Sequence, residues 1–310
     1  MPVVEINNLT KDYEIGFLKK RKVRALDGLS LTVERGEILG FLGANGAGKT
    51  TTLKLLMRLI FPTSGNARIL GRDIHEISMH SRIGYLPENP YFYDYLTARE
   101  FLDYCAQLFG YDAEARRKRA ADLLARVKLD EKRWDTQLRK FSKGMLQRVG
   151  LAQSIINDPE IVFLDEPMSG LDPIGRREVR DLIATLRQEG KTVFMCSHIL
   201  SDIEILCDRV AILRKGRLAH LGHLNDLRQQ TTNHMVEVIV SGTSMESMAR
   251  ELTSPKFSLS ETASGVRIQV PDESDVDAVL VAVRKTGGAL VSVQPVRQSL
   301  EELFVGGDNE

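Results

Sequence analysis

Apolar and polar positions change rhythm several times along the chain, and each change marks an element. Val3 to Leu9 alternates as a half-buried strand, and Leu29-Ser30-Leu31-Thr32-Val33 does the same before the turn Glu34-Arg35-Gly36. Glu37 to Leu42 reads as a short buried strand, and from Thr50 to Ile60 the residues Leu53, Leu56, Met57 and Ile60 form one helix face. Pro62-Thr63-Ser64-Gly65 turns the chain into a strand over Asn66 to Leu70; Ile83 to Leu86 forms another, stopped by Pro87 and Pro90. Helical spacing then takes over at Thr97 to Phe109, Ala113 to Val127 and Gly144 to Ile156. The unbroken apolar run Ile161-Val162-Phe163-Leu164 predicts a buried parallel strand ending in Asp165-Glu166-Pro167. Helix Ile174 to Gln188, strand Thr192 to Cys196, helix Ile199 to Leu206 and strand Arg209 to Leu213 follow.

This alternation predicts an α/β domain over 1–224 with a mostly parallel sheet covered on both faces, interrupted by a helical insertion at about 88–156. The polar stretch 225–233 reads as a linker. Beyond it, 234–310 predicts strand Met235 to Val240, helix Met245 to Leu252, strands Phe257 to Thr262 and Val266 to Val270, helix Ser274 to Thr286 and strand Leu290 to Val293. That order is βαββαβ, a small ferredoxin-like α+β domain. Val276, Val279, Leu280 and Val283 share one face of its second helix, with Gly287-Gly288 to cap the end.

One loop carries chemistry. Gly43-Ala44-Asn45-Gly46-Ala47-Gly48-Lys49-Thr50-Thr51 lies between a strand and a helix, the context in which the pattern G-x-x-x-x-G-K-T cradles phosphate. Its glycines let successive N–H groups converge on an anion, and the following helix points its positive end at the same place. Lys49 would reach the β- and γ-phosphates of a nucleotide such as ATP, and the Thr50 hydroxyl would take a position on Mg²⁺. Asp165, at the end of a buried strand, can hold Mg²⁺ through its water shell. Glu166 is then a candidate general base for a water attacking the γ-phosphate.

Charge and composition narrow the partners. With 42 basic and 42 acidic residues among 310, the global field argues against general nucleic-acid binding. Cys105, Cys196 and Cys207 form no C-x-x-C pair and fit free thiols in a reducing compartment. No run suits a signal peptide or a spanning helix, so the chain is expected to be soluble by itself with no direct membrane span. The run Lys19-Lys20-Arg21-Lys22 reads first as a solvated hairpin tip and second as an anionic-lipid or nuclear-import signal.

Several motifs together resemble the ATP-binding cassette family over residues 3 to about 222. They are the Walker A loop Gly43 to Thr51, the segment Phe141-Ser142-Lys143-Gly144-Met145-Leu146-Gln147-Arg148 where the family has its LSGGQ signature, the Walker B run ending Asp165-Glu166, the D-loop Ser169-Gly170-Leu171-Asp172, and His198 after the next strand. The resemblance implies that Tyr13 stacks on adenine, that Ser142 and Gly144 meet the γ-phosphate bound by the opposite subunit, that Asp172 belongs to the nucleotide site, and that His198 contacts the γ-phosphate. It also implies a homodimer acting beneath a separate integral membrane permease, on the cytoplasmic face of the cell membrane. The subgroup it resembles, with a small C-terminal domain ending Ser299-Leu300-Glu301-Glu302-Leu303-Phe304, energises two-component, mostly export-type transporters. Rival expectations are a soluble cassette ATPase of translation or repair and a nucleotide-gated adaptor.

Two positions depart from the family. Lys143 replaces a glycine, either adding positive charge near the phosphates or facing solvent. Glu88 stands where most cassettes have the glutamine that touches Mg²⁺ and the attacking water; a glutamate can ligate Mg²⁺ but donates no N–H. Behind it, Pro90-Tyr91-Phe92-Tyr93-Asp94-Tyr95 is either a docking surface for the membrane subunit or a segment packed on its own helices.

Overall fold

A computed structural model describes residues 2–16, 21–223, 235–262 and 265–295. The chain divides into two compact units, Met1–Leu224 and Asn225–Glu310.

The first unit holds two sheets. Strands β1 (Val4–Ile15), β2 (Arg21–Val33), β4 (Ser64–Ile69) and β5 (Arg72–Asp73) form an antiparallel sheet in the order β2-β1-β4-β5. Strands β3 (Ile38–Leu42), β6 (Ile83–Leu86), β7 (Ile161–Asp165), β8 (Thr192–Ser197), β9 (Arg209–Arg214) and β10 (Arg217–His223) form the second, in the order β10-β9-β3-β8-β7-β6. All its pairings are parallel except β10 with β9. Every residue of β3, β7 and β8 is buried, as a parallel strand covered on both faces requires. Phe41, Phe163 and Phe194 from those three neighbours stack through the core, with ring centroids 5.2 and 5.5 Å apart.

Helices α1 (Lys49–Leu56), α2 (Ala98–Leu108), α3 (Ala113–Arg126), α4 (Lys143–Ser154), α5 (Pro173–Gln188) and α6 (Leu200–Leu206) complete the unit. Four of them, α2 to α5, start on short polar side chains that satisfy the first free N–H groups. Thr97 and Glu100 make a reciprocal capping box on α2, Asp112 caps α3, Ser142 caps α4 and Asp172 caps α5 ahead of Pro173.

The separate antiparallel sheet was not anticipated. Register shifts at Ile6/Leu9, Leu9/Lys11 and Lys11/Asp12 in the β1–β2 pairing scramble the alternation, so the outer half of β1 reads as polar loop although it is paired.

In the second unit β11 (Val236–Ser241), α7 (Met245–Glu251), β12 (Ser258–Thr262), β13 (Gly265–Val270), α8 (Val276–Lys285) and β14 (Ala289–Pro295) follow the predicted ferredoxin-like order. The sheet is antiparallel, ordered β12-β13-β11-β14. Alternate valines of β11 and β13 bury against Met248, Val279 and Val283 of the helices. The Ser299 to Phe304 end lies outside the described residues.

Candidate active site

The phosphate loop is fixed by close backbone packing. Gly46 and Gly48 have φ of 82° and 111°, where a side chain is strained. A Cβ on Gly48 would lie 2.7 Å from the Ala25 carbonyl oxygen, and one on Gly43 would lie 2.7 Å from that of Leu213. The Ala47 N–H donates to Ala44 O at 3.1 Å, and Gly216 N donates to Ala47 O at 3.0 Å, tying the loop to the β9–β10 turn. The result is a cleft of about 260 Å³, lined from the loop by Ala44, Asn45, Gly46, Gly48, Lys49, Thr50 and Thr51, and from outside it by Ala25, Glu88 and Glu166. Ala25 was not foreseen, since only the pairing of β2 brings it there.

Two of the cleft's charges, Lys49 and Glu166, are buried and paired with each other. Lys49 is 6% exposed; its Nζ donates to Gly43 O at 2.6 Å and lies 3.6 Å from Glu166 Oε1. Asp165 is fully buried, and neither carboxylate oxygen has a hydrogen-bond partner. Burial raises its carboxyl to about 6; the neighbouring Thr50 side chain and Lys49 oppose the shift, while Glu88 and Glu166 add to it. A buried acid with no donor fits a site for a cation, and Thr50 supplies a hydroxyl beside it.

Directly after Asp165 the chain leaves the sheet sharply. Glu166 has φ 51°, a conformation that costs roughly 1–3 kcal/mol in a non-glycine residue and recurs at active sites. Its N–H still donates to Cys196 O at 3.0 Å, so the sheet holds the backbone while the turn re-aims the carboxylate. Glu166 Oε2 lies 2.9 Å from His198 Nδ1, so one carboxylate bridges the lysine of the loop and the histidine beyond β8.

A second cleft, of about 570 Å³, opens elsewhere on the unit and shares no lining residue with the first. Ser142, Lys143 and Gly144 line it from the start of α4, and Gly170, Leu171 and Asp172 from the start of α5. Ser142 Oγ accepts from Met145 N at 3.3 Å, and Asp172 Oδ1 accepts from Gly175 N at 2.8 Å. Of the expected nucleotide contacts, Ser142, Gly144 and Asp172 therefore stand together, apart from the phosphate loop. Tyr13 lines neither cleft; it is half-buried on β1 with the Lys11 ammonium 5.2 Å from its ring centroid.

The chain has counterparts among known proteins. A family profile described as "ABC transporter" matches residues 26–169, and one described as "ATP-binding protein DrrA1-3-like, C-terminal domain" matches residues 222–306. The uncharacterized ABC transporter ATP-binding protein sll0415 of Synechocystis sp. strain PCC 6803 is 44% identical over 304 residues, covering 98% of this chain and 84% of the relative. The chain belongs to the ABC transporter ATP-binding proteins. The bacitracin transport ATP-binding protein BcrA of Enterococcus faecalis is 31% identical, over 98% of this chain and 97% of its own. Among solved structures, a dimer of the ATP-binding cassette MJ0796 in a post-hydrolysis state, bound to ADP and Pi, superposes with a TM-score of 0.66 at 26% identity, covering 71% of this chain and 98% of that one.

As a member of that family the chain is an ATP-binding, ATP-hydrolysing transporter subunit, and cassettes of this kind dimerise and work with membrane permeases. No helix among the described residues is long and apolar enough to cross a membrane. In the loop after Glu88, Phe92 turns inward against Phe101, with centroids 5.3 Å apart, whereas Tyr91, Tyr93 and Tyr95 join Tyr104 of α2 in an exposed chain of ring contacts. One ring thus packs the loop on its own helices, while the tyrosines are left exposed. Lys143 neither pairs with an acid among the described residues nor stands free, for its stem lies along Gly170.

Proposed function

We propose that two copies of this chain bind Mg²⁺-ATP between them, hydrolyse it, and drive export by a separate permease on the cytoplasmic face of the membrane. The carrying observation is the pair of clefts without a shared residue, one with the phosphate loop and one with Ser142 and Gly144. Each is half of a site, and a two-fold dimer closes both halves twice. Thr50, Asp165 and Glu88 would hold Mg²⁺, which when bound neutralises phosphate charge.

The protein's own groups do the rest. Tyr13 stacks on adenine, and the loop N–H groups of residues 43–51 with Lys49 hold the β- and γ-phosphates. Glu166 takes a proton from a water as its oxygen bonds to the γ-phosphorus; the bond from that phosphorus to the β-γ bridging oxygen breaks, and ADP and phosphate are left. His198 fixes the carboxylate of Glu166 and faces the γ-phosphate, while Ser142, Gly144 and Asp172 come from the second copy. Residues 1–224 act as the cassette and 234–310 as a separate small domain; the exposed tyrosines at 91–104 form the permease-facing surface. The likeness to BcrA, a bacitracin transport ATP-binding protein, supports a transport role for this chain.

The test is a Glu166→Gln chain, which should bind ATP and shift to a dimer on size exclusion. Adding Ser142→Arg should abolish the shift while each monomer still binds ATP. Dimerisation indifferent to both would place the interface elsewhere.

A further inference from the structure

Helix α4 does more than present Ser142. Gln147, one turn further on, is 3% exposed, and its Nε2 donates to the carbonyl oxygen of Pro167 at 2.8 Å. Pro167 is the residue after Glu166, and the turn continues with Ser169 N donating to Glu166 O at 3.1 Å. A second tie lies beside the first. Gly170, with φ 71°, carries the Lys143 stem so closely that a Cβ there would meet Lys143 Cδ at 2.7 Å.

We propose that α4 is a positioning element for the catalytic carboxylate of its own chain, with Gln147 and Lys143 strapping it to the turn at 166–170. The inference rests on Glu166 being the base and on Ser142 and Gly144 closing over the partner's nucleotide. Glu166 sits at a strained φ of 51°, so its aim depends on what clamps the residues just after it. The buried Pro167 carbonyl has its partner in a side chain of the helix that engages the opposite site. A shift of α4 on closing over that nucleotide therefore reaches Glu166 through a hydrogen bond and a packed lysine stem. Each copy's base is aimed by the nucleotide its partner holds. At the helix's next turn a Cβ on Gly150 would lie 2.8 Å from Leu86 Cδ1, so α4 has no slack toward the Glu88 loop either.

The experiment uses the full chain with Gln147→Leu, which keeps similar bulk at the buried position and removes the donor. Steady-state ATPase should show kcat down about tenfold with KM little changed, as for an ordinary hydrogen bond acting on the transition state. In a Glu166→Gln background, the ATP-driven dimer should persist with Gln147→Leu added. Loss of that dimer together with turnover would reduce Gln147 to folding the signature, and an unchanged kcat would sink the idea. Should Gln147→Leu melt early, Lys143→Gly gives the second reading: a lower kcat at constant KM, restored by Lys143→Arg, upholds the strap, and wild-type kcat in Lys143→Gly overturns it. Retained turnover in Glu166→Gln alone would fail the base assignment instead, a distinguishable result.

Discussion

The two clefts are built on opposite principles. The phosphate-loop cleft gathers at the ends of parallel strands, and Lys49 and Glu166, which line it, are buried and paired with each other. The other gathers helix starts: Ser142 and Lys143 are exposed, and Arg133 and Lys128 at its rim form no ion pair among the described residues. A buried, mutually paired set of charges is organised for chemistry before anything binds. An open rim of donors and cations is organised for recognition, and its counterpart must come from outside the chain. On the proposed function, the difference is why two copies would be needed to complete one site.

The largest effect should come from breaking the buried set. Glu166→Gln keeps the volume and removes the proton acceptor, so turnover should fall by roughly 10² or more with ATP affinity largely intact. Single-turnover hydrolysis and equilibrium ATP binding measured on the same preparation would separate the two. A matching loss of affinity would mean that Glu166 holds the nucleotide rather than acting on water.

Next comes the loop's shape. Gly48→Ala forces φ 111° on a residue with a Cβ and drives that atom to 2.7 Å from the Ala25 carbonyl oxygen, a backbone atom with little room to retreat. ATP affinity should drop roughly tenfold to a hundredfold, in keeping with a strain of about 1–3 kcal/mol. The comparison sharpens if the damage stays in one cleft. A fluorescent ATP analogue would report the loss, while the Ser142 cap and α4 should keep their protection in hydrogen exchange.

These glycines, like Lys49, Asp165 and Glu166, were legible in the sequence because each is fixed by its immediate neighbours in a strand, turn or helix. Ala25 was not, because β2 reaches the loop only through pairings broken by bulges that erase the alternating pattern. Gln147 lies in the signature segment that the sequence shows, but no role of its own could be read there. Its meaning lies in a hydrogen bond to Pro167, 20 positions away, which no local pattern records. Motifs state what a site contains, whereas the ties between its parts are set by tertiary packing.

The smallest effect separates the two glutamates that line the same cleft. Glu166 is held by the sheet, with its N–H on Cys196 O and its carboxylate between Lys49 and His198. Glu88 is exposed, with the buried Leu86 before it and Phe92 packed on Phe101 after it, and no ion pair among the described residues holds its carboxylate. A proton acceptor must be aimed within a fraction of an ångström, and only the first glutamate has the supports for that. Glu88→Gln keeps the reach, removes one negative charge beside Asp165 and restores an N–H donor at this position. Turnover should therefore change by less than about tenfold, with the larger change in the Mg²⁺ concentration giving half-maximal rate. A Mg²⁺ series on wild type, Glu88→Gln and Glu166→Gln decides the matter. A Glu88→Gln enzyme as inactive as Glu166→Gln at saturating Mg²⁺ would make the exposed glutamate a direct participant in the chemistry, and the contrast between a rigid base and a mobile metal contact would fall.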